Sequence, residues 1–317
     1  LSMMPQIYNS PSAPRMLIGY YIVLAIPMLL VVPLAAYRSL EGEIDDGTLE
    51  LLSITTLTPW QIVLGKLASA MLQMLLYFVA LFPCVAYAYT LRGVDLPTTL
   101  LMIATLLVAG ILLTIVALAF APLTKSRTGR ITTLLATMSV LVFAEWGLAV
   151  LMISMILYGN PLTTEQMFFA VTATLLVAVA VGHLLLTATA AQLTPESENR
   201  STHLRISLLV LTAVLLGVGT LGSQLLGQFA PPIVISIVIL LGMLWTVCGS
   251  LLAAESSTMT PRIRRELPSS FASRAVLTWL TPGPATGLAF ATINVLVIAI
   301  ILSIGLEYLI RSPNYWG

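Results

Sequence analysis

Charge is scarce in this chain. Only 9% of its 317 residues are Asp, Glu, Lys or Arg, whereas 58% are hydrophobic. Soluble proteins carry charge on about a quarter of their residues, so this chain could not cover a globule of its size with polar surface. The composition excludes a soluble enzyme or binding domain, and lipid is expected to be the main solvent of the protein.

Residues that carry chemistry are equally few. The chain has two cysteines, Cys84 and Cys248, inside apolar runs, and two histidines, so we expect no metal site, no catalytic residues and no bound cofactor. A phosphate-binding loop needs a Lys-Ser/Thr pair after spaced glycines, but Gly65-Lys66 is followed by Leu67, and Trp60 stands where the earlier glycine should be. We therefore expect that the chain does not hydrolyse ATP by itself and is not an enzyme.

Long apolar runs recur through the whole sequence. Each is long enough to cross about 30 Å of hydrocarbon as a helix, which predicts an all-α, polytopic transmembrane helical bundle of about eight spans. The predicted spans are 16–37, 67–91, 98–123, 131–158, 167–192, 206–229, 231–253 and 285–310. The connection at 229–231 leaves a re-entrant hairpin open as an alternative to two full crossings.

Basic residues give the orientation, because they stay on the cytoplasmic side during insertion. With the 38–66 loop inside, eleven of the Lys and Arg residues are cytoplasmic and three are external. The external links are short, so no sizeable external domain is expected. A basic cluster at 262–265 predicts contact with anionic lipid headgroups, and no feature suggests a nucleic-acid partner.

One charged island interrupts the apolar pattern. Glu41, Glu43, Asp45, Asp46 and Glu50 are five of the thirteen carboxylates and lie within ten residues. From Gly42 to about Thr55, apolar positions recur at helical spacing while acids fall on another face, which predicts a cytoplasmic amphipathic helix. A glycine in mid-helix costs about 1 kcal/mol, so Gly47 should serve a bend or a close backbone approach.

A second helix is predicted directly after the island. Thr58-Pro59-Trp60-Gln61 reads as an N-cap, a proline at the first helical position and a capping-box glutamine. The helix should run without a break into the next span, anchored near the interface by Trp60 and Lys66.

The island and this helix start resemble the membrane subunits, or permeases, of ABC exporters of the second type. The residues that match the family pattern are Glu41, Glu43, Gly47, Thr48, Leu49, Glu50, Leu51, Leu52, Thr58, Pro59, Gly65 and Lys66. The resemblance implies that the island is the coupling helix, which docks on a separate ATPase subunit. The implied interface residues are Glu41, Glu43, Asp46, Gly47, Thr48, Leu49, Glu50, Leu51 and Leu52.

The resemblance also implies an assembly. ATP and Mg²⁺ would be bound by the ATPase, and a second copy or a related permease would complete a dimer in a bacterial plasma membrane. We expect residues 1–192 to form the core permease, with its first span missing because of a truncated N-terminus. Residues 193–317 would be additional transmembrane helices.

Two residues within spans are candidates for a pathway. Glu145 lies near the middle of its span, where a charge costs about 2.5–3.5 kcal/mol, and His183 lies in the next span. Packing roles remain open for both. If Glu145 binds a proton or an ion, the alternative function is a coupled secondary transporter, although the inverted repeats typical of that class are not evident. A membrane-embedded enzyme is a third hypothesis, which the inventory of catalytic groups disfavours.

Overall fold

The computed structural model describes residues 12–47, 57–90, 96–124, 126–158, 163–195, 198–225, 230–255 and 278–311. The described residues are helical or lie in short links, and no strand occurs among them. Thr48 to Leu52 of the predicted coupling helix and the basic cluster at 262–265 lie outside these ranges.

Nine α-helices follow one another in the described ranges. They are α1 Ser12–Ala25, α2 Val32–Asp45, α3 Pro59–Thr90, α4 Leu96–Phe120, α5 Arg127–Tyr158, α6 Thr164–Leu193, α7 Ser201–Leu225, α8 Ala230–Ala253 and α9 Pro284–Arg311. A π-helical segment, Ile26–Val31, joins α1 to α2, and 3₁₀ turns lie at Ala121–Leu123 and Thr278–Leu280.

Eight helical segments are long and apolar enough to cross a membrane. Each overlaps one of the eight predicted spans, which confirms the predicted number within the described residues. α7 and α8 are separate helices of 25 and 24 residues, and α8 starts at Ala230 within the 229–231 connection. Large apolar side chains such as Leu76, Phe143 and Met243 are exposed on the helix surfaces, as expected where lipid is the solvent.

The first span differs from its prediction. It was expected to end at residue 37, but the helix continues to Asp45 and ends in a turn at Asp46 and Gly47. Gly47 has a φ of +67°, so a helix running unbroken from Gly42 to Thr55 is wrong. The helix extends past the apolar run because α3 and α5 supply partners for its acids, which a local pattern does not reveal.

The chain divides into two compact units. The first comprises Leu1–Pro161 and Ala188–Gln192, and the second comprises Leu162–Thr187 and Leu193–Gly317. Most of α6 therefore belongs to the second unit, and its residues Ala188–Gln192 belong to the first. The division into a core permease and additional helices stays a prediction.

The first unit is built around α1, the π-helical segment and α2, which pack against α3, α4 and α5. Buried Tyr21, Met28 and Leu40 mark the core along this first span. Pro33 has no N–H to offer the carbonyl of Leu29, and the N–H of Val32 bonds to the carbonyl of Pro27 in the wider π pattern. Prolines thus account for the local change of helix type.

The second unit packs α8 between α7 and α9. Its core includes Leu208, Leu211, Trp245 and Phe290, with the two aromatic rings 5.6 Å apart. The indole of Trp245 donates to Thr212 on α7 over 3.1 Å. Interhelical hydrogen bonds of this kind fix helix partners where the hydrophobic effect between helices is weak.

Candidate functional site

The candidate site begins where α2 ends. Its final turn carries Glu41, Glu43 and Asp45, and the N–H of Asp46 closes the helix on the carbonyl of Gly42 at 2.9 Å. Asp46 and Gly47 are exposed. A Cβ at Gly47 would meet nothing within 4 Å, so the glycine is required for its left-handed backbone and not for close packing. The bend foreseen for Gly47 is therefore a helix end.

α3 begins with the predicted capping box. The N–H of Thr58 donates to the side-chain oxygen of Gln61 at 2.9 Å, and the N–H of Gln61 donates to the Thr58 hydroxyl at 3.4 Å. Pro59 occupies the first helical position, and the helix runs unbroken to Thr90. Among the described residues, α2 thus ends in a turn at Gly47 and α3 starts at Pro59.

Two ion pairs tie these helices together within the first unit. Lys66 on α3 pairs with Glu43 and also donates to the hydroxyl of Ser39 at 2.7 Å. Arg130 on α5 pairs with Asp45. The last turn of α2 is therefore bound to both α3 and α5. We call these two ion pairs the α2 brace.

A hydroxyl contact lies one turn deeper. The hydroxyls of Tyr37 on α2 and Thr133 on α5 are 3.0 Å apart, and Tyr37 also donates to Glu41 at 3.5 Å. Tyr37 is fully buried. This contact links α2 to α5 at a buried position next to the brace. A displacement of the end of α2 would therefore also displace the buried side chain of Tyr37.

The brace shows that two island acids, Glu43 and Asp45, already have partners within the first unit. Glu43 and Lys66 already satisfy each other, whereas Asp46 projects into solvent beyond the pairs. Among the described acids of the island, Asp46 is exposed and takes no part in the ion pairs, while Glu43 links the end of α2 to α3. The sequence did not show this, because Arg130 and Lys66 are distant from the island along the chain.

The two pathway candidates lie in different units. Glu145 on α5 is half-buried, and α5 packs against α1, which carries Tyr21. The hydroxyl of Tyr21 is buried and has no hydrogen-bond partner among the described residues. In the second unit, the Nδ1 atom of His183 lies 3.0 Å from the hydroxyl of Ser207 on α7. The histidine thereby joins two helices, which favours its packing role.

A buried network in the second unit could not be seen in the sequence. Its central residue, Arg205, is one of the eleven basic residues predicted to be cytoplasmic. Its guanidinium is fully buried and donates to Glu255 at 2.8 Å and to the Trp279 carbonyl at 2.7 Å. Glu255 also accepts from the N–H of Gly283 and from Ser201. This cluster, here named the Arg205 network, joins the start of α7, the end of α8 and the turn before α9.

No group of three or more His, Cys, Asp or Glu side chains with the arrangement of a metal site occurs in the described ranges. The chemistry that the described side chains offer is therefore ion pairing and hydrogen bonding at helix ends, plus one carboxylate within a span.

These features define a class: the chain is a multi-pass membrane protein with an all-helical fold. Comparison with protein-family models, with curated proteins and with solved structures finds no match. Any more particular function must therefore be argued from its own residues.

Proposed function

We propose that the chain is the permease subunit of an ATP-driven ABC exporter and works with a separate ATPase subunit. The observation that carries the proposal is the motif that runs from Glu41 to Lys66, whose first acids lie on the last turns of α2 and whose Thr58 box starts α3. The motif therefore begins on one span and ends on the next.

The α2 brace supports a mechanical role for that segment. A force applied between Gly47 and Thr58 reaches α2 and α3 directly, and the pairs with Lys66 and Arg130 pass it to α3 and α5. Half-exposed ion pairs are individually weak, commonly about 0–1 kcal/mol, so they can exchange partners as helices move. In this mechanism the ATPase closes on ATP, the island moves with it, and the braced spans change access to the pathway.

Co-purification tests the proposal. A tagged chain is isolated from its native membrane and compared with a variant carrying Asp46→Lys and Glu50→Lys, which reverses two island acids outside the brace. We expect an ATPase with a phosphate-binding loop to accompany the wild type and to be lost from the variant. Glu165→Lys, at an exposed acid elsewhere, is the matched control and should retain the ATPase. Absence of any ATPase from the wild type would contradict the proposal.

Charge exchange then tests the brace. Lys66→Glu should retain the ATPase but lower transport-coupled ATP hydrolysis, because it places two acids together at the end of α2. Adding Glu43→Lys restores opposite charges and should recover most of the activity. Equal activity in the single variant and the wild type would show that the brace does not transmit motion.

A coupled secondary transporter that uses Glu145 is the second candidate, and the half-buried position of this acid within a membrane span favours it. It predicts substrate uptake or release driven by an ion gradient in vesicles that contain no ATPase. The permease proposal predicts no transport in those vesicles until the ATPase and ATP are added.

A further inference from the structure

The first span contains a backbone carbonyl that its own helix leaves without a donor. In the π-helical segment Ile26–Val31, the N–H of Val32 bonds to the carbonyl of Pro27, five residues back. The same pattern would pair the carbonyl of Met28 with Pro33, which has no N–H. The α-helical donor for Met28 would be Val32, which is already bonded to Pro27. The Met28 carbonyl therefore has no main-chain donor within the first span.

The neighbours of this carbonyl pack against it without offering a hydrogen bond. Met28 is fully buried, and its carbonyl oxygen faces Gly110 on α4, where an added Cβ would lie 3.2 Å from it. The Sδ and Cε atoms of Met74 on α3 would lie 3.3 Å from the same Cβ. Neither glycine nor a thioether has a side-chain donor. Three helical elements thus meet at an unbonded carbonyl, an arrangement that is costly in a spanning segment.

The first span resists bending least at this point. Sharp bends in helices occur at prolines and at π-helical segments, because the hydrogen bonds that keep the axis straight are missing or displaced there. At Met28 no such bond has to break when the bend changes. Gly110 has no side chain to obstruct the carbonyl, and the unbranched side chain of Met74 adapts easily to a changed space.

The two halves of the span are held differently. The far end of α2 is bound to α3 and α5 by the ion pairs of Glu43 and Asp45. α1 lies on the other side of the π-helical segment and contributes buried apolar side chains such as Leu24 to the core. A displacement of the brace therefore acts on α2 first, and it reaches α1 only through the segment that contains the unbonded carbonyl.

We propose that Ile26–Val31 is a hinge, at which α2 changes its direction relative to α1 while the carbonyl of Met28 slides over Gly110. Segments of π-helix are frequent at functional sites, and this one divides a membrane span. The hinge goes beyond the proposed function, because it would serve a permease and a secondary transporter alike, and its test contains no ATPase.

Pulsed EPR on the full chain in nanodiscs measures the spread of angles at the hinge. Cys84 and Cys248 are first replaced by alanine. Spin labels are then attached at Val23→Cys on α1 and Arg38→Cys on α2, both at exposed positions. Fifteen residues separate the labels, which corresponds to about 22 Å along a helix.

A second label pair on α5 is the matched control. Leu135→Cys and Val150→Cys are also exposed and also fifteen residues apart, but they lie on one unbroken α-helix. We expect the distance distribution across the hinge to be about twofold broader than that of the α5 pair, because frozen samples retain the spread of helix angles. Equal widths for the two pairs would overturn the proposal.

Proline variants locate the hinge. Pro33→Ala supplies an N–H to the carbonyl of Met28 or Leu29, so the distribution should narrow to the width of the α5 pair. Pro27→Ala is the matched control, since it leaves Met28 without a donor, and it should keep the full width.

A folded Pro33→Ala variant with the full width would contradict the hinge, as would a Pro27→Ala variant that loses it. The comparison of the two label pairs gives a result even where a proline variant does not fold. None of these outcomes changes whether an ATPase co-purifies with the chain, so the hinge and the permease proposal can fail separately.

Discussion

In the first unit, Lys66 and Glu43 keep 20% and 32% of their side chains exposed, whereas in the second unit Arg205 keeps none. Both pairs join the ends of helices, but their surroundings differ. The α2 brace can exchange its partners with water and headgroups, while Arg205 is enclosed by carbonyls, a carboxylate and the ring of Phe290 at 5.7 Å. We therefore predict that the brace adjusts as helices move and that the Arg205 network stays rigid.

Removing one acid from each pair should give the largest contrast. Glu255→Ala leaves a buried guanidinium without its countercharge and should lower the free energy of unfolding by about 3–5 kcal/mol. Glu43→Ala in the brace should cost about 0–1 kcal/mol, because Lys66 stays partly solvated. Reversible unfolding in mixed micelles measures both.

Glu165→Ala is the control for this pair of variants, since it removes an exposed acid of the second unit. Equal losses for Glu255→Ala and Glu43→Ala would remove the distinction between a rigid and an adjustable network.

Two glycines sharpen the same contrast. A Cβ at Gly287 would lie 2.4 Å from the backbone carbonyl oxygen of Leu252, so α8 and α9 must separate, and Gly287→Ala should cost about 1–3 kcal/mol. A Cβ at Gly110 in the first unit would lie 3.2 Å from the Met28 oxygen and 3.3 Å from the flexible Met74 side chain, so Gly110→Ala should cost less than about 1 kcal/mol. The melting temperature should therefore decrease more for Gly287→Ala than for Gly110→Ala.

Gly242→Ala is the matched control on α8, since nothing lies within 4 Å of its added Cβ. It should be neutral or slightly stabilising, because alanine favours helix over glycine. A loss as large as that of Gly287→Ala would show that glycine itself, and not the approach of two backbones, sets the effect.

The spans and the Thr58 cap could be predicted because their signals are local. Apolar run length gives a span, and a Thr-Pro-Trp-Gln sequence gives a helix start. The extension of α2 to Asp45 could not be predicted, because it depends on Lys66 and Arg130, which reach the acids only after the helices pack.

The Arg205 network could not be predicted for a similar reason, because its partners are distant from Arg205 along the chain. The number of basic residues in each loop predicts the orientation. It does not distinguish an arginine that binds lipid headgroups from one that is buried in an ion pair. The available signal was the position of Arg205, four residues inside the helix that starts at Ser201, together with an acid, Glu255, just beyond the end of α8. Glu145 was recognisable as unusual from the sequence, but the hydroxyl of Tyr21, which is buried without a hydrogen-bond partner among the described residues, was not.

The helix caps give the smallest expected effect and a case in which the units should not differ. Thr163 and Gln166 at the start of α6 repeat the reciprocal bonds of Thr58 and Gln61, at 3.1 and 3.4 Å. Both boxes are exposed, so burial does not separate them.

Thr58→Ala and Thr163→Ala should each lower the free energy of unfolding by about 1 kcal/mol, with faster amide exchange confined to the first turn of the affected helix. Thr→Ser at either position keeps the hydroxyl and should preserve protection. If Thr58→Ala instead loosened α2 and α5 as well, the start of α3 would itself be part of the brace, and the adjustable region of the first unit would extend across the whole island.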